Sequence, residues 1–287
     1  MNIELYKNNR KIEYNSFLFP AGEVGVKIVS TYHRHASSAP VPYQFVARIK
    51  ESNDIITLMM LKDALARQLN CMPKCELYLL YLPYGRQDRV CSEGEAFSLK
   101  VFANLINSLK FDSVHIFDPH SDVSKAVFDN VIVHDQLEII HKYQDFKKHC
   151  LDPNNQFIAP DAGANKKVAA VAKYFNHGQF VRADKLRDLS NGNILETIVY
   201  CDDFKNGCVT IIDDLCDGGR TFTELAKVLK SKGAGKVALY VTHGIFSKGA
   251  DVLFDNGIDE IYTTNSYNYP SDSRCHVLDL ENVYRIR

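Results

Sequence analysis

The segment DDLCDGGRT, residues 213–221, concentrates more usable chemistry than any other stretch of the chain. Asp213 and Asp214 follow the apolar run VTII (Val209 to Ile212), and two adjacent acids at the end of an apolar strand are costly as mere structure, because burial penalises an ionised group without a partner. They suit sugar hydroxyls or a metal-bound water. Asp217 follows, then Gly218 and Gly219, which let the backbone approach a ligand, and Arg220 and Thr221, which offer a guanidinium and a hydroxyl. Phe222 opens a helical pattern, so amides at a helix start face whatever anion the loop holds. The chemistry is that of a sugar-phosphate site; the plainer alternative is a capping turn that contains glycine. Other loops carry fewer clues. Arg86, Gln87 and Arg89 supply donors after a run ended by Pro83 and Gly85, while His120, in FDPHSD, reads by itself as an ordinary hydrogen-bonding loop residue. Lys185 and Arg187 lie in VRADKLRDLSNGNILE, a stretch without helix or strand period that reads as a solvated charged loop.

The elements that must position these loops are α/β. LYLLYLP (Leu77 to Pro83), VHIF (Val114 to Phe117), VTII and VALYVT (Val237 to Thr242) are nearly continuous in apolar residues, as strands buried on both faces are. Between them Phe102, Leu105, Ile106 and Leu109 fall at helical spacing, as do Phe222, Leu225, Ala226 and Leu229, and Leu58, Leu61, Leu65 and Leu69. Strands alternating with amphipathic helices predict mainly parallel sheets, with ligands at the carboxyl ends of the strands. EAFSLKVFANLINSLKFDSVHIFDPH and GGRTFTELAKVLKSKGAGKVALYVTH echo each other: polar loop, helix, lysine-containing turn, strand, then a histidine. The echo predicts two α/β halves, 1–133 and 134–287, divided near His134 ahead of the hydrophilic segment KYQDFKKHCLDPNNQ.

Composition narrows the function classes. The chain has 287 residues, 46% hydrophobic and 24% charged, which is ordinary for a globular protein and excludes a disordered or coiled-coil chain. Lysine and arginine number 34 against 35 acids, a formal charge of -1, so a surface coated with nucleic acid is not expected. The 8 cysteines form no C-x-x-C pair and several lie in apolar runs, which predicts buried free thiols in a reducing compartment. MNIELYKNNRKIEY has no apolar core of a signal peptide, and no run approaches the roughly 20 apolar residues of a membrane helix. A cytoplasmic protein is the expectation.

DDLCDGGRT resembles the ribose-phosphate loop of phosphoribosyltransferases and phosphoribosyl-pyrophosphate (PRPP) synthetases, also called ribose-phosphate diphosphokinases. The rest of the chain is similar to the second family over nearly its whole length. YLPYGRQDR (Tyr81 to Arg89) resembles that family's ATP loop, FDPHSD (Phe117 to Asp122) its metal-histidine segment, APDAGAN (Ala159 to Asn165) its pyrophosphate loop and ADKLR (Ala183 to Arg187) its catalytic flexible loop. FPAGE (Phe19 to Glu23) resembles its adenine-binding hairpin, which serves a neighbouring subunit. The resemblance implies two tandem phosphoribosyltransferase-like domains, each a mainly parallel sheet flanked by helices. It also implies Mg²⁺-dependent transfer of the β,γ-diphosphoryl group of ATP to the anomeric hydroxyl of ribose 5-phosphate, in the service of nucleotide biosynthesis. By the same resemblance Lys185 and Arg187 are catalytic, Phe19, Glu23, Arg86, Gln87 and His120 contact ATP, His120 and Asp161 serve the metal, and Asp213, Asp214, Asp217, Gly218, Gly219, Arg220 and Thr221 hold ribose phosphate. A homodimer or larger homo-oligomer is implied, with neither nucleic acid nor membrane as partner.

Departures from the family pattern open alternatives. Ala21 stands where aspartate is usual in the hairpin, and the phosphate loop carries Arg220 where the family reads D-T-G-G-T. An added guanidinium beside glycines could accept a substituted ribose 5-phosphate such as ADP-ribose. A plain phosphoribosyltransferase would not need YGRQDR or ADKLR, and a catalytically silent regulatory subunit would usually have lost the metal or flexible-loop residues, which are all present.

Overall fold

The computed structural model describes residues 2–29, 41–187 and 194–286, with the backbone alone at Leu186, Arg187, Ile194 and Leu195. The chain divides into two compact units, Met1–His134 with Leu280–Arg287, and Asp135–Asp279.

In the first unit, β1 (Ile3–Lys7), β2 (Arg10–Lys11), the hairpin β3 (Tyr14–Leu18) and β4 (Val24–Ile28), β5 (Tyr43–Ala47), α1 (Ser52–Leu69), β6 (Cys75–Leu79), α2 (Ser98–Ser108), β7 (Ser113–Phe117), α3 (Val123–Val127) and β8 (Val131–His134) follow in order. A six-stranded sheet runs β2-β1-β5-β6-β7-β8, parallel from β5 to β8 and antiparallel between β1 and both its neighbours. The predicted stripes of α1 and α2 cover one face: Leu58, Leu61, Phe102 and Ile106 pack with Phe45, Leu77, Leu79 and Ile116 in one core. Burying one such side chain contributes about 1.5–3 kcal/mol. At the far end of α1, Asn70 takes a left-handed φ of 52° and stops the helix.

The second unit contains α4 (Gln136–Lys142), α5 (Gln144–Cys150), β9 (Asn155–Ala159), α6 (Asn165–Tyr174), β10 (Val181–Arg187), β11 (Ile194–Val199), β12 (Cys208–Cys216), α7 (Arg220–Ser231), β13 (Lys236–Gly244), α8 (Asp251–Phe254), β14 (Glu260–Thr264) and β15 (Cys275–Leu278). Its seven strands are ordered β11-β10-β9-β12-β13-β14-β15, parallel except for the β10–β11 hairpin. The α7 stripe Phe222, Leu225, Ala226 and Leu229 packs against Val209, Ile211, Val237 and Leu239. Strand order reverses at β9: the chain steps to β10 on one side and later returns to β12 on the other. In open α/β sheets that reversal leaves a crevice at the carboxyl ends of the strands.

Three expectations need correction. The last residues do not stay with the second half. After β15, α9 (Leu280–Val283) and its successors belong to the first unit, where Glu281 ion-pairs Arg48 and the Tyr284 ring packs edge-on against Phe117 and His134. The ADKLR segment is a strand rather than an irregular loop. It pairs with β9 only at Val181 and Arg182 and with β11 for the rest, and among its described side chains Ala183 alone is apolar and buried, so no apolar alternation marks it. The cysteines are free, as expected, but only Cys75, Cys150 and Cys216 are buried, while Cys71 and Cys91 are exposed. Among the described residues no helix is long and apolar enough to cross a membrane.

Candidate active site

Strand lengths build the crevice in the second unit. β9 ends at Ala159; β12 pairs with it only through Ile211 and then continues beside β13 to Cys216. On the other flank β10 pairs with β9 only at Val181 and Arg182, then runs on with β11 alone. A short strand between two long ones leaves a slot floored by the loop after β9. Asp161 is in that loop, Lys185 projects from β10, and Asp213 and Asp214 belong to β12. The acids therefore lie inside the strand rather than in a loop beyond it.

Lys185 Nζ donates to Asp161 Oδ2 at 3.0 Å, and the Ala164 N–H donates to Asp161 Oδ1 at 3.2 Å. The Lys185 side chain is only 6% exposed and its carboxylate partner 43%, so the ammonium depends on Asp161 for the charge partner that burial requires. Asp214, buried, has Lys167 Nζ 3.9 Å from its Oδ2. Gln136 Nε2 donates to the Asp213 carbonyl at 2.9 Å and fixes the strand here. Burial, then the negative charges of Asp214 and Asp161, push the Asp213 carboxyl well above the usual carboxylate range. Three acids that repel one another in this way form a donor set that a divalent cation relieves. Among the described residues no three His, Cys, Asp or Glu side chains converge tightly enough to enclose a metal by themselves. That pattern fits Mg²⁺, which takes one or two carboxylates and completes its shell with water and substrate phosphates.

The loop after β12 is shaped by its glycines. Gly219 caps α7 with φ of 77°, a conformation only glycine adopts freely, and Phe222 and Thr223 N–H groups return to its carbonyl at 2.9 and 3.0 Å. Asp217 and Arg220 are exposed, and Gly218 and Thr221 half-buried. The loop after the adjacent strand β13 is tied to it: Ile245 and Phe246 N–H groups donate to the Cys216 carbonyl at 2.9 and 3.2 Å. A Cβ on Gly218 would stand 3.6 Å from Lys248 Cε and 3.8 Å from Ser247 Oγ, so this second loop lies directly over the glycine.

In the first unit, the loops after the adjacent parallel strands β6 and β7 carry the remaining candidates. Arg86 and Gln87 are exposed, with the Gln87 N–H turned back to the Tyr84 carbonyl at 2.9 Å and Tyr84 resting on Phe102. Between them and Arg89 sits Asp88, 4% exposed. Arg89 grips it through Nε and Nη2 at 2.8 and 3.0 Å, so this guanidinium is engaged inside the loop rather than offered as an independent fork. The Arg89 hydrogen bond, then those from Ser121 and the charges of Arg89 and His120, hold the Asp88 carboxyl down at about 2 against the opposing effect of burial. Asp88 thus joins YGRQDR to FDPHSD, and His120 lies exposed beside it. The FPAGE segment closes the β3–β4 hairpin: Phe19 N–H bonds Glu23 O, and Gly22 turns the chain at φ of 94°. Phe19, half exposed, packs edge-on against Phe17 at 5.1 Å.

Comparison with known proteins places this geometry. Residues 176–283 match the family model described as the phosphoribosyl synthetase-associated domain. The ribose-phosphate pyrophosphokinase of Maricaulis maris is 30% identical over 227 residues, which cover 78% of this chain and 71% of that protein. The chain belongs to the ribose-phosphate pyrophosphokinase family. The Mycoplasmopsis pulmonis pyrophosphokinase is also 30% identical, over 75% of this chain, and the match spans 65% of that relative's length. The crystal structure of phosphoribosylpyrophosphate synthetase from Mycobacterium smegmatis superposes with a TM-score of 0.80 over 96% of this chain and 89% of that one, at 21% identity, so the fold is shared.

Within the frame of a pyrophosphokinase, the second unit brings together Asp161, Lys185, Asp213 and Asp214; the first carries Arg86 and Gln87 on the loop after β6 and His120 on the loop after β7, the two loops joined through Asp88. The Arg187 side chain is outside the described residues. Sequence reasoning singled out neither Asp88 nor Lys248. Asp88 was findable as an acid enclosed in a cationic motif, and Lys248 as a cation just past the carboxyl end of the strand next to the acid pair.

Proposed function

We propose that the protein is a Mg²⁺-dependent ribose-phosphate diphosphokinase: the anomeric hydroxyl of ribose 5-phosphate attacks the β-phosphorus of ATP, the α,β-bridging P–O bond breaks, and PRPP and AMP leave. The observation that carries this is the Lys185–Asp161 pair set with Asp213 and Asp214 around the gap left by the short β9. Lys185 is held by a carboxylate that a cation can take over, which frees the ammonium to neutralise charge on the transferring diphosphoryl group. Arg187 joins it on the strength of the family motif. Asp213 and Asp214 hold the ribose hydroxyls, Asp217 to Thr221 the 5-phosphate, Arg86 and Gln87 the polyphosphate of ATP, and Phe19 and Glu23 the adenine of a neighbouring subunit in a homo-oligomer. Asp161 would be the carboxylate that holds Mg²⁺, His120 is carried as a metal residue by the family motif alone, and the ion would supply charge neutralisation to the transferring diphosphoryl group. The exposed Arg220 supports a second acceptor, the substituted 5-phosphate of ADP-ribose, for the same transfer. AMP formation from ATP with ribose 5-phosphate tests the reading. Lys185→Ala should lower kcat at least about 100-fold, the loss typical of removing one charge-stabilising donor, with ATP binding largely kept. Unchanged turnover refutes the assignment of Lys185, and no AMP from the wild-type chain refutes the activity.

A further inference from the structure

We propose that Lys248, on the loop after β13, is an acceptor-binding residue that selects for a sugar whose 5-position carries a phosphate ester of about two negative charges; the proposal rests on the ribose-phosphate reading of residues 213–221. The placement of Lys248 is built, not incidental. Phe246 adopts a left-handed φ of 47°, and its ring lies so close to Gly244 that a Cβ there would meet Phe246 Cε2 at 2.1 Å. Two backbone hydrogen bonds from Ile245 and Phe246 to Cys216 then lock this loop to the residue preceding Asp217. Leu253, just beyond, seats against Gly219, where a Cβ would meet its Cδ2 at 3.0 Å. With the loop fixed at both ends, the Lys248 stem lies along Gly218, its Cε 3.6 Å and Cδ 3.7 Å from the position of a Cβ there.

Charge gives that placement a purpose. The side chains of the phosphate loop itself, Asp217 and Arg220, cancel, so the loop alone offers no net cation to a dianionic ester. Lys248 is exposed and makes no ion pair among the described residues, in contrast to Lys185 and Lys167. It is a cation held against the loop with its charge unspent. A phosphomonoester dianion and the diphosphate of ADP-ribose both carry two charges, and both would be met by Arg220 and Lys248 from neighbouring loops.

The test is steady-state AMP formation by the full chain with ribose 5-phosphate and, separately, ADP-ribose, alongside calorimetric titration of each acceptor. Lys248→Ala should raise the KM and the dissociation constant of the preferred acceptor about tenfold, the loss of one charge-assisted contact, while the KM for ATP stays within twofold. Lys248→Arg should recover most of the loss and Lys248→Glu deepen it; thermal melts that coincide with wild type separate binding from folding. The acceptor whose KM moves identifies the source of the phosphate ester. An unchanged acceptor KM and affinity in Lys248→Ala overturns the proposal, as does wild-type protein that binds neither ester. Wild type that binds an ester through Lys248 but forms no AMP retains this assignment and overturns the proposed activity instead.

Discussion

Gly218 and Gly219 are neighbours in the phosphate loop, yet the structure predicts opposite outcomes for the same substitution. At Gly219, φ is 77° and an added Cβ would stand 3.0 Å from Leu253 Cδ2. Holding alanine in the left-handed region costs about 1–2 kcal/mol, and pressing on a side chain that is 1% exposed adds a few tenths to one. The smaller conformational freedom of the unfolded alanine chain returns about 0.4–1 kcal/mol. Gly219→Ala should therefore destabilise the second unit by about 1–2 kcal/mol, which for a unit of this size is a fall in Tm of about 4–7 °C. At Gly218 φ is not left-handed and the nearest neighbours of a Cβ, Lys248 Cδ and Cε and Ser247 Oγ, lie at 3.6–3.8 Å, which is ordinary contact. Only the unfolded-chain effect remains, and Gly218→Ala should leave Tm unchanged or slightly raised. Differential scanning calorimetry of both variants reads the contrast. Equal Tm values for the two would refute the cap geometry on which the anion-binding reading of the α7 start depends.

Acid should weaken the second unit through His149. Its Nε2 lies 2.7 Å from Thr210 Oγ1, whose one proton goes to Asn155 Oδ1 at 2.8 Å, so the neutral ring must be the donor to Thr210. Burial, then the Lys236 charge, lowers the His149 pKa from 6.5 to about 4. The unfolded chain then binds the proton first, so stability is full above about pH 6.5 and falls as pH drops toward 4, by up to about 3 kcal/mol. Urea titrations across that range should show a smaller acid loss in His149→Gln; the same loss in both refutes a depressed pKa. In the first unit, Glu281→Ala should remove the carboxylate that ion-pairs Arg48, whose side chain is 18% exposed and which keeps Glu4 as an acidic neighbour, and cost about 2–3 kcal/mol, with Arg48→Met/Glu281→Met recovering most of it. A neutral Glu281→Ala in calorimetry would refute the anchoring of α9 to that unit.

What could be read from the sequence was whatever packing writes into it. β6, β7, β12 and β13 are covered on both faces, so burial fills nearly every position and VTII or VALYVT reads as a strand without any partner known. β3 shows the reverse: Tyr14 is its one buried residue, and YNSFL carries no period. The β10 segment fails for a related reason: among its described side chains Ala183 alone is apolar and fully buried, so no apolar period marks the strand. The site was legible as a set of motifs because charge, glycine and strand ends coincide in them. Its architecture was not, because the crevice is a difference between strand lengths: β9 stops at Ala159 while β10 and β12 run on, and no residue type encodes a neighbour's length. The same logic explains Lys248. SKG after VALYVTHG is an unremarkable polar turn until the hydrogen bonds from Ile245 and Phe246 to Cys216 set it over Gly218. A loop's own sequence fixes what it can bind, whereas the register of the strands beneath it decides what it binds with.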